Sequence, residues 1–326
     1  SRKIALLSQI FIAMNPRLEF LSISALNELL PIALIFLSLY FITKRNLLQR
    51  NLFLVGVLVG ISFMIRYQAL FVLVGILLYV LLRDKKIKKN LVNAIIIFSV
   101  FFVMITPLLG YNYFTHGVLL DADPNLYLLL VTKYQTTEWH TMMENLVATG
   151  STESGLFKDF DLFLKNYLYN IFYNNPSVLF NFEHFDNLSI IPFIPFVGLI
   201  PFVGGFIYCF NITLNKNTVF FLLAIGSFTA LIISEFGDIQ HNLFAILILP
   251  VISLGILNLS KIPKNFLPLL IVSIVIFSLI SIAPLYRSYQ LLVVWLPIVV
   301  FNSVFFLEFI PRIFSKNFSY LEKKND

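Results

Sequence analysis

Ten apolar stretches, most of them separated by short polar connections, constrain this chain more than any other feature. They cover residues 4 to 15, 28 to 43, 52 to 66, 67 to 82, 91 to 110, 190 to 210, 218 to 236, 241 to 259, 266 to 285 and 289 to 310. Most approach or pass the length of about 18 residues at which an uncharged apolar run reads as a membrane-spanning helix. A water-soluble domain is excluded by the same pattern, because 59% of the 326 residues are hydrophobic and only 12% are Asp, Glu, Lys or Arg. The sequence therefore predicts an all-α, multi-pass helical membrane protein with about nine or ten transmembrane helices. A disulfide framework is excluded as well, since Cys209 is the one cysteine. The chain opens at Ser1 without a signal-peptide pattern, and it reads as a piece of a longer protein.

The net charge of +6 raises the question of an anionic partner. Nucleic acid is the wrong inference, because the bases sit in short loops between apolar spans. With the first residues taken as cytoplasmic, 17 of the 23 Lys and Arg fall on the inner side and 13 of the 17 carboxylates on the outer side. This bias sets the orientation and places the C-terminal tail in the cytoplasm. The predicted organisation is an N-terminal set of membrane helices over 1–110, an extracytoplasmic loop or cap over 111–189, a C-terminal set over 190–310, and a cytoplasmic tail over 311–326. The outer segment is too long for a structureless loop. Within it, residues 157–172 (FKDFDLFLKNYLYNIF) have helical apolar spacing. That stretch is a helix lying on the membrane surface or one packed on a small cap.

Few residues in such a chain can carry chemistry. Arg66 interrupts the apolar stretch 52–82, which reads as a helical hairpin with Arg66-Tyr67-Gln68 at its tip. An arginine at the bilayer centre costs roughly 2.5 to 3.5 kcal/mol on insertion scales. Its guanidinium suits phosphate oxygens, so an anionic lipid headgroup is one partner; snorkelling to water or a structural carboxylate is the other reading. A second polar group, Glu235-Phe236-Gly237-Asp238-Ile239-Gln240-His241-Asn242, lies between two spans on the outer side. His241 could contact a phosphate while Glu235 or Asp238 orients an acceptor, or the run is a polar turn with Asp238 or Asn242 capping the next helix. Glu28 opens the helix 28–43, where the macrodipole alone explains a carboxylate. Gly56 and Gly60 form a small-xxx-small pair that permits close helix packing. Asp121 and Asp123 stand before Pro124 and read as a turn more readily than as a metal site. His116, His140 and His184 show no zinc spacing, and no phosphate-binding Gly loop or nucleophile elbow is present. No cofactor is assigned, and a divalent cation held by outer-loop carboxylates is left open.

The order of these features resembles a known family. The run from Asn15-Pro16 to Asn27-Glu28, an apolar helix, the basic Lys44-Arg45 loop, and Gly56-xxx-Gly60 followed by Arg66 resemble the middle of GT-C-fold glycosyltransferases. These are relatives of the protein O-mannosyltransferases and of the aminoarabinose transferase acting on lipid A. The stretch Tyr111-Asn112-Tyr113-Phe114-Thr115-His116-Gly117 resembles the opening of their later outer loop. Gln240-His241-Asn242-Leu243-Phe244-Ala245 through Pro250 resembles their R-H-x-L-x-A-x-x-P-like helix start, with Gln240 where a basic residue is common.

The resemblance implies a transferase moving a sugar from a polyprenyl-phosphate donor to an acceptor hydroxyl on a protein, lipid or glycan. Transfer would occur at the extracytoplasmic face, with inversion. In the roles it implies, Arg66 and His241 bind the lipid phosphate, Glu28 serves the reacting centre, and Glu235, Asp238 and Gln240 support the acceptor. The family's catalytic carboxylate lies in the first outer loop. That loop would precede Ser1, so the isolated 326 residues are expected to be inactive. The setting implied is an integral, multi-pass protein of the plasma membrane in contact with membrane lipids. The competing class is a transporter or lipid flippase, and the gathering of polar groups on one face without an internal repeat argues against it.

Overall fold

The computed structural model describes residues 2–13, 29–44, 47–83, 86–117, 119, 160–171, 175, 194–212, 215–234, 243–258, 266–281 and 292–313. These are almost entirely helical, with no strand among the described residues. In chain order the helices are α1 (Arg2–Ala13), α2 (Leu29–Thr43), α3 (Gln49–Ile65), α4 (Ala69–Leu82) and α5 (Ile87–His116). Next come α6 (Phe160–Tyr169), α7 (Ile194–Cys209), α8 (Lys216–Ser234), α9 (Leu243–Leu257), α10 (Leu267–Ile280) and α11 (Leu292–Val304). A π-helical turn, Phe305–Phe309, continues α11. Each predicted apolar stretch coincides with one helix, and α6 falls inside the predicted 157–172 segment.

Among the described residues two helical segments, Ile87–Thr115 and Leu296–Ile313, are long and apolar enough to cross a membrane, and several shorter apolar helices accompany them. This architecture fits a helical membrane protein. The two faces of α5 make the physical case. Ala94, Ile97, Phe101 and Ile105, at spacings of three and four, are buried, while Ile95, Phe98, Phe102 and Val103 point outward and are at least half exposed. A helix apolar on both faces has a favourable solvent only if the outer face meets lipid.

The chain divides into two compact units that are not consecutive stretches. One comprises Ser1–Phe20, Phe172–Pro263 and Trp295–Asp326; the other comprises Leu21–Ile171 and Lys264–Val294. In the first, α7 packs on the π-helical continuation of α11 and on α9, and α8 pairs with α9. Phe202, Phe206 and Phe301 form a tilted and edge-to-face ring cluster with centroids 5.1 to 5.7 Å apart. Gly205 lies directly on the Phe301 carbonyl, which leaves no space for a side chain there. The Ser8 hydroxyl lies 2.9 Å from that of Ser303, joining α1 to α11 by a buried hydrogen bond. Asn215 caps α8, accepting from the Thr218 N–H at 2.8 Å.

In the second unit, α3 is the central helix, packed on α2 and α5, while α4 lies against α10. The small-xxx-small pair explains the α3–α5 contact. A Cβ on Gly56 would sit 2.8 Å from the Val100 Cβ and 2.9 Å from the Ile97 carbonyl oxygen, and one on Gly60 2.7 Å from the Met104 Cβ. Contacts advance together along both helices, so α3 and α5 run parallel. At the basic end, Arg83 Nη1 donates to the Ile42 carbonyl at 3.1 Å and Nη2 to the Lys44 carbonyl at 2.7 Å. The guanidinium thereby supplies donors to the C-terminus of α2, where carbonyls lack helical partners and the dipole favours a cation. Asn90 caps α4 similarly, with its amide donating to the Leu81 carbonyl at 3.1 Å.

Candidate functional site

Arg66 is the one predicted site residue among the described residues. Glu28, Glu235, Asp238, Gln240 and His241 lie outside them, as do Asp121 and Asp123. Its position follows from how α3 ends. Arg66 leaves the helical region at φ −147°, ψ 117°, while its N–H still donates to the Ser62 carbonyl at 2.8 Å. The Arg66 carbonyl then accepts from Ala69 at 3.1 Å, and Tyr67 and Gln68 accept from Leu70 and Phe71 at 3.0 Å. The chain reverses within three residues, and the first amides of α4 are satisfied by the turn itself. Such closure is required where water is scarce.

The hairpin arms contain 17 and 14 residues, about 26 and 21 Å long at 1.5 Å per residue. Both are shorter than the roughly 30 Å hydrocarbon core. The Arg83 contacts with the end of α2 lie at the base of this hairpin, and Arg66 stands at its tip, the length of α4 away. The Arg66 side chain is half-buried there.

Three elements surround the tip. Ser62, one turn before Arg66, is fully buried; its hydroxyl donates to the Leu58 carbonyl at 2.8 Å and lies 3.5 Å from the Pro31 carbonyl. The first turn of α2 thus rests on the last turn of α3, and the residue preceding α2 in sequence is Glu28. The Phe63 ring lies 5.2 Å from that of Tyr67 and meets Phe101 of α5 edge-on at 5.5 Å, holding the tip against α5. Finally, α5 runs on for 30 residues, about 45 Å, and passes the level of Arg66.

Predicted to end at 110, the α5 span continues to His116, so Tyr111, Tyr113 and Phe114 form a helical extension instead of the start of a loop. Their rings are exposed, as aromatic residues at a membrane–water interface are. Gly117 closes the helix at φ 73°, a conformation that costs glycine little. Asn112 is buried and donates to the Leu119 carbonyl at 3.2 Å, turning the exiting chain back onto α5. Asn112 lies within the stretch compared with the family's outer loop, but its sequence context gives no sign of this bond.

Chemically, the tip offers a permanent cation at an apolar edge beside two helix ends and an aromatic rim. That combination suits the phosphate of an amphiphile whose tail lies in lipid. Among the described residues no group of three His, Cys, Asp or Glu is placed to hold a metal ion.

No curated protein and no solved structure matches the chain. Residues 1–111, which include α2, α3, the Arg66 turn and most of α5, match the model of the dolichyl-phosphate-mannose-protein mannosyltransferase family, so this N-terminal third is similar to that family.

Proposed function

We propose that the chain is part of a multi-pass membrane glycosyltransferase that uses a polyprenyl-phosphate sugar, and that Arg66 binds the lipid phosphate. The observation that carries this reading is a half-buried arginine at the tip of a short apolar helical hairpin, inside the region similar to dolichyl-phosphate-mannose-protein mannosyltransferases. The family description makes mannose the sugar to test first and a protein hydroxyl the acceptor.

In this reading the polyprenyl tail lies along the lipid-facing helices and the phosphate reaches the Arg66 turn. A carboxylate takes the proton of the acceptor hydroxyl as its oxygen attacks the anomeric carbon. The bond from that carbon to the phosphate oxygen breaks, the electron pair leaves with the lipid phosphate, and the configuration inverts. Arg66 stabilises the charge that grows on the departing phosphate. His241 is proposed as a second phosphate contact, Glu28 as a group at the reacting centre, and Glu235, Asp238 and Gln240 as acceptor supports. Positive-inside bias supports an extracytoplasmic site, a cytoplasmic C-terminus and a place in the cell envelope.

The test is binding of polyprenyl monophosphate to the protein in lipid nanodiscs. A charge-assisted hydrogen bond contributes about 1.5 to 3 kcal/mol, so Arg66→Ala should weaken binding by roughly ten- to hundredfold. Arg66→Lys keeps the charge without the paired donors and should fall between. Equal affinity of wild type and Arg66→Ala would remove Arg66 from the donor site.

A further inference from the structure

The outer segment returns to the membrane helices through a contact that the proposed reaction leaves unused. Asn170, just after α6, is 2% exposed, and its amide donates to the backbone carbonyl of Ser281 at 3.0 Å. Ser281 is itself fully buried and closes α10, with its hydroxyl donating to the Phe277 carbonyl at 2.7 Å. The bond joins residues 111 positions apart in sequence, both within one compact unit. The helix lies on its support asymmetrically: Leu164 and Lys165 are exposed, whereas Tyr167 through Tyr169 are half-buried and Asn170 is enclosed. Burial also raises the Tyr167 phenol above its usual pKa, as expected where the end of the helix is docked.

The contact has a topological consequence. Between Gly117 and α6 the sequence holds Asp121, Asp123, Lys133, Glu138, Glu144 and Glu153, and no apolar run near the ~18 residues needed to cross a bilayer. Hence α6 lies on the side where α5 ends. Ser281 must lie on that side too, and α10 rises toward it. The parallel course of α3 and α5 places the Arg66 turn at the same end. The Asn170–Ser281 bond therefore fastens an outer helix at the end of the unit that carries Arg66.

We propose that Asn170 is a positioning residue that clamps α6 onto the outer end of α10, making α6 a fixed element of the Arg66 end in place of a helix floating on the membrane surface. The carboxamide suits this role. It donates to a buried carbonyl at the end of α10, where water cannot replace a lost donor. The role of α6 at the site rests on the phosphate-binding reading above, whereas the clamp does not.

The experiment is hydrogen exchange of the full chain in lipid nanodiscs, with Asn170→Ala, Asn170→Asp and Asn170→Gln beside wild type. Amides of 161–171 should exchange about tenfold faster in the Ala and Asp variants. Those of α3 and α5 should keep wild-type rates as the check on folding, and Gln should restore part of the protection. Rapid exchange of 161–171 already in wild type, or unchanged rates in the Ala and Asp variants, would overturn the clamp. Polyprenyl monophosphate is then added. In wild type it should slow exchange at 66–70 and at 161–171 together, and in Asn170→Ala only at 66–70. A response at 66–70 without one at 161–171 in wild type overturns the positioning role. No response at 66–70 refutes phosphate binding at Arg66 and leaves the clamp to be judged by the basal rates.

Discussion

Replacing Gly56 or Gly60 with alanine should separate α3 from α5, and the structure sets the size of the effect. A Cβ at Gly56 would stand 2.8 Å from the Val100 Cβ and 2.9 Å from the Ile97 carbonyl oxygen. At Gly60 it would stand 2.7 Å from the Met104 Cβ. Carbon atoms prefer about 3.5 to 4.0 Å, so each methyl forces a displacement of roughly 0.7 Å or more. One obstacle at Gly56 is backbone, which cannot rotate away, and Met104 must move at its stiff Cβ. Overpacking of this kind costs about 1 to 3 kcal/mol.

Alanine also raises helix propensity by up to about 1 kcal/mol, which would mask part of the loss. Gly110 of α5 supplies the control, because nothing lies within 4 Å of a Cβ built there. Gly110→Ala should be neutral or stabilising, and the difference between it and Gly56→Ala or Gly60→Ala isolates the packing term at about 1 to 3 kcal/mol. Reversible unfolding of the three variants in mixed micelles measures that difference. The double variant Gly56→Ala/Gly60→Ala should cost less than the sum, since one displacement of α5 relieves both contacts. If all three single variants unfold alike, the close approach of α3 and α5 is wrong, and with it the parallel register that places the Arg66 turn below the end of α5.

Two further perturbations probe each unit separately. Arg83→Met keeps the aliphatic stem but removes the donors to Ile42 and Lys44, and should cost about 1 to 3 kcal/mol in the same micelle titration; a neutral outcome would show that water caps α2 instead. For the Ser8–Ser303 bond, a double-mutant cycle with alanine should give a coupling near 0.6 kcal/mol and no more than about 1.7 kcal/mol, as for other hydrogen bonds between membrane helices. Zero coupling would remove the link between α1 and α11.

Hydropathy located the helices because a bilayer leaves a chain little choice. Where water cannot satisfy amides, an apolar run must be helical, and its length shows in the residue pattern. Arg66 stood out for the same reason, as a charge in an otherwise apolar hairpin. The 157–172 helix was legible from its spacing, but its docking was not: an Asn between Tyr169 and Ile171 looks the same whether it faces water or the Ser281 carbonyl. Likewise the apolar run ends near 110, and the stretch from Tyr111 onward reads as the start of the outer segment. Helical geometry does not stop where hydrophobicity does, and Gly117 ends the helix by its left-handed backbone.

By itself, then, the order of residues determined the helical class of the described residues and the approximate limits of the helices. Each depends on local composition against a fixed solvent thickness. Only the tertiary structure decided which helices touch. Gly56 and Gly60 could have met any neighbour, and they meet Ile97, Val100 and Met104. Arg83 could have remained in water, and it closes the end of α2. Asn170 and Ser281 are far apart in sequence and hydrogen-bonded in space. Such pairings turn on shape and on the need of each buried polar group for a partner, and those are properties of the folded chain.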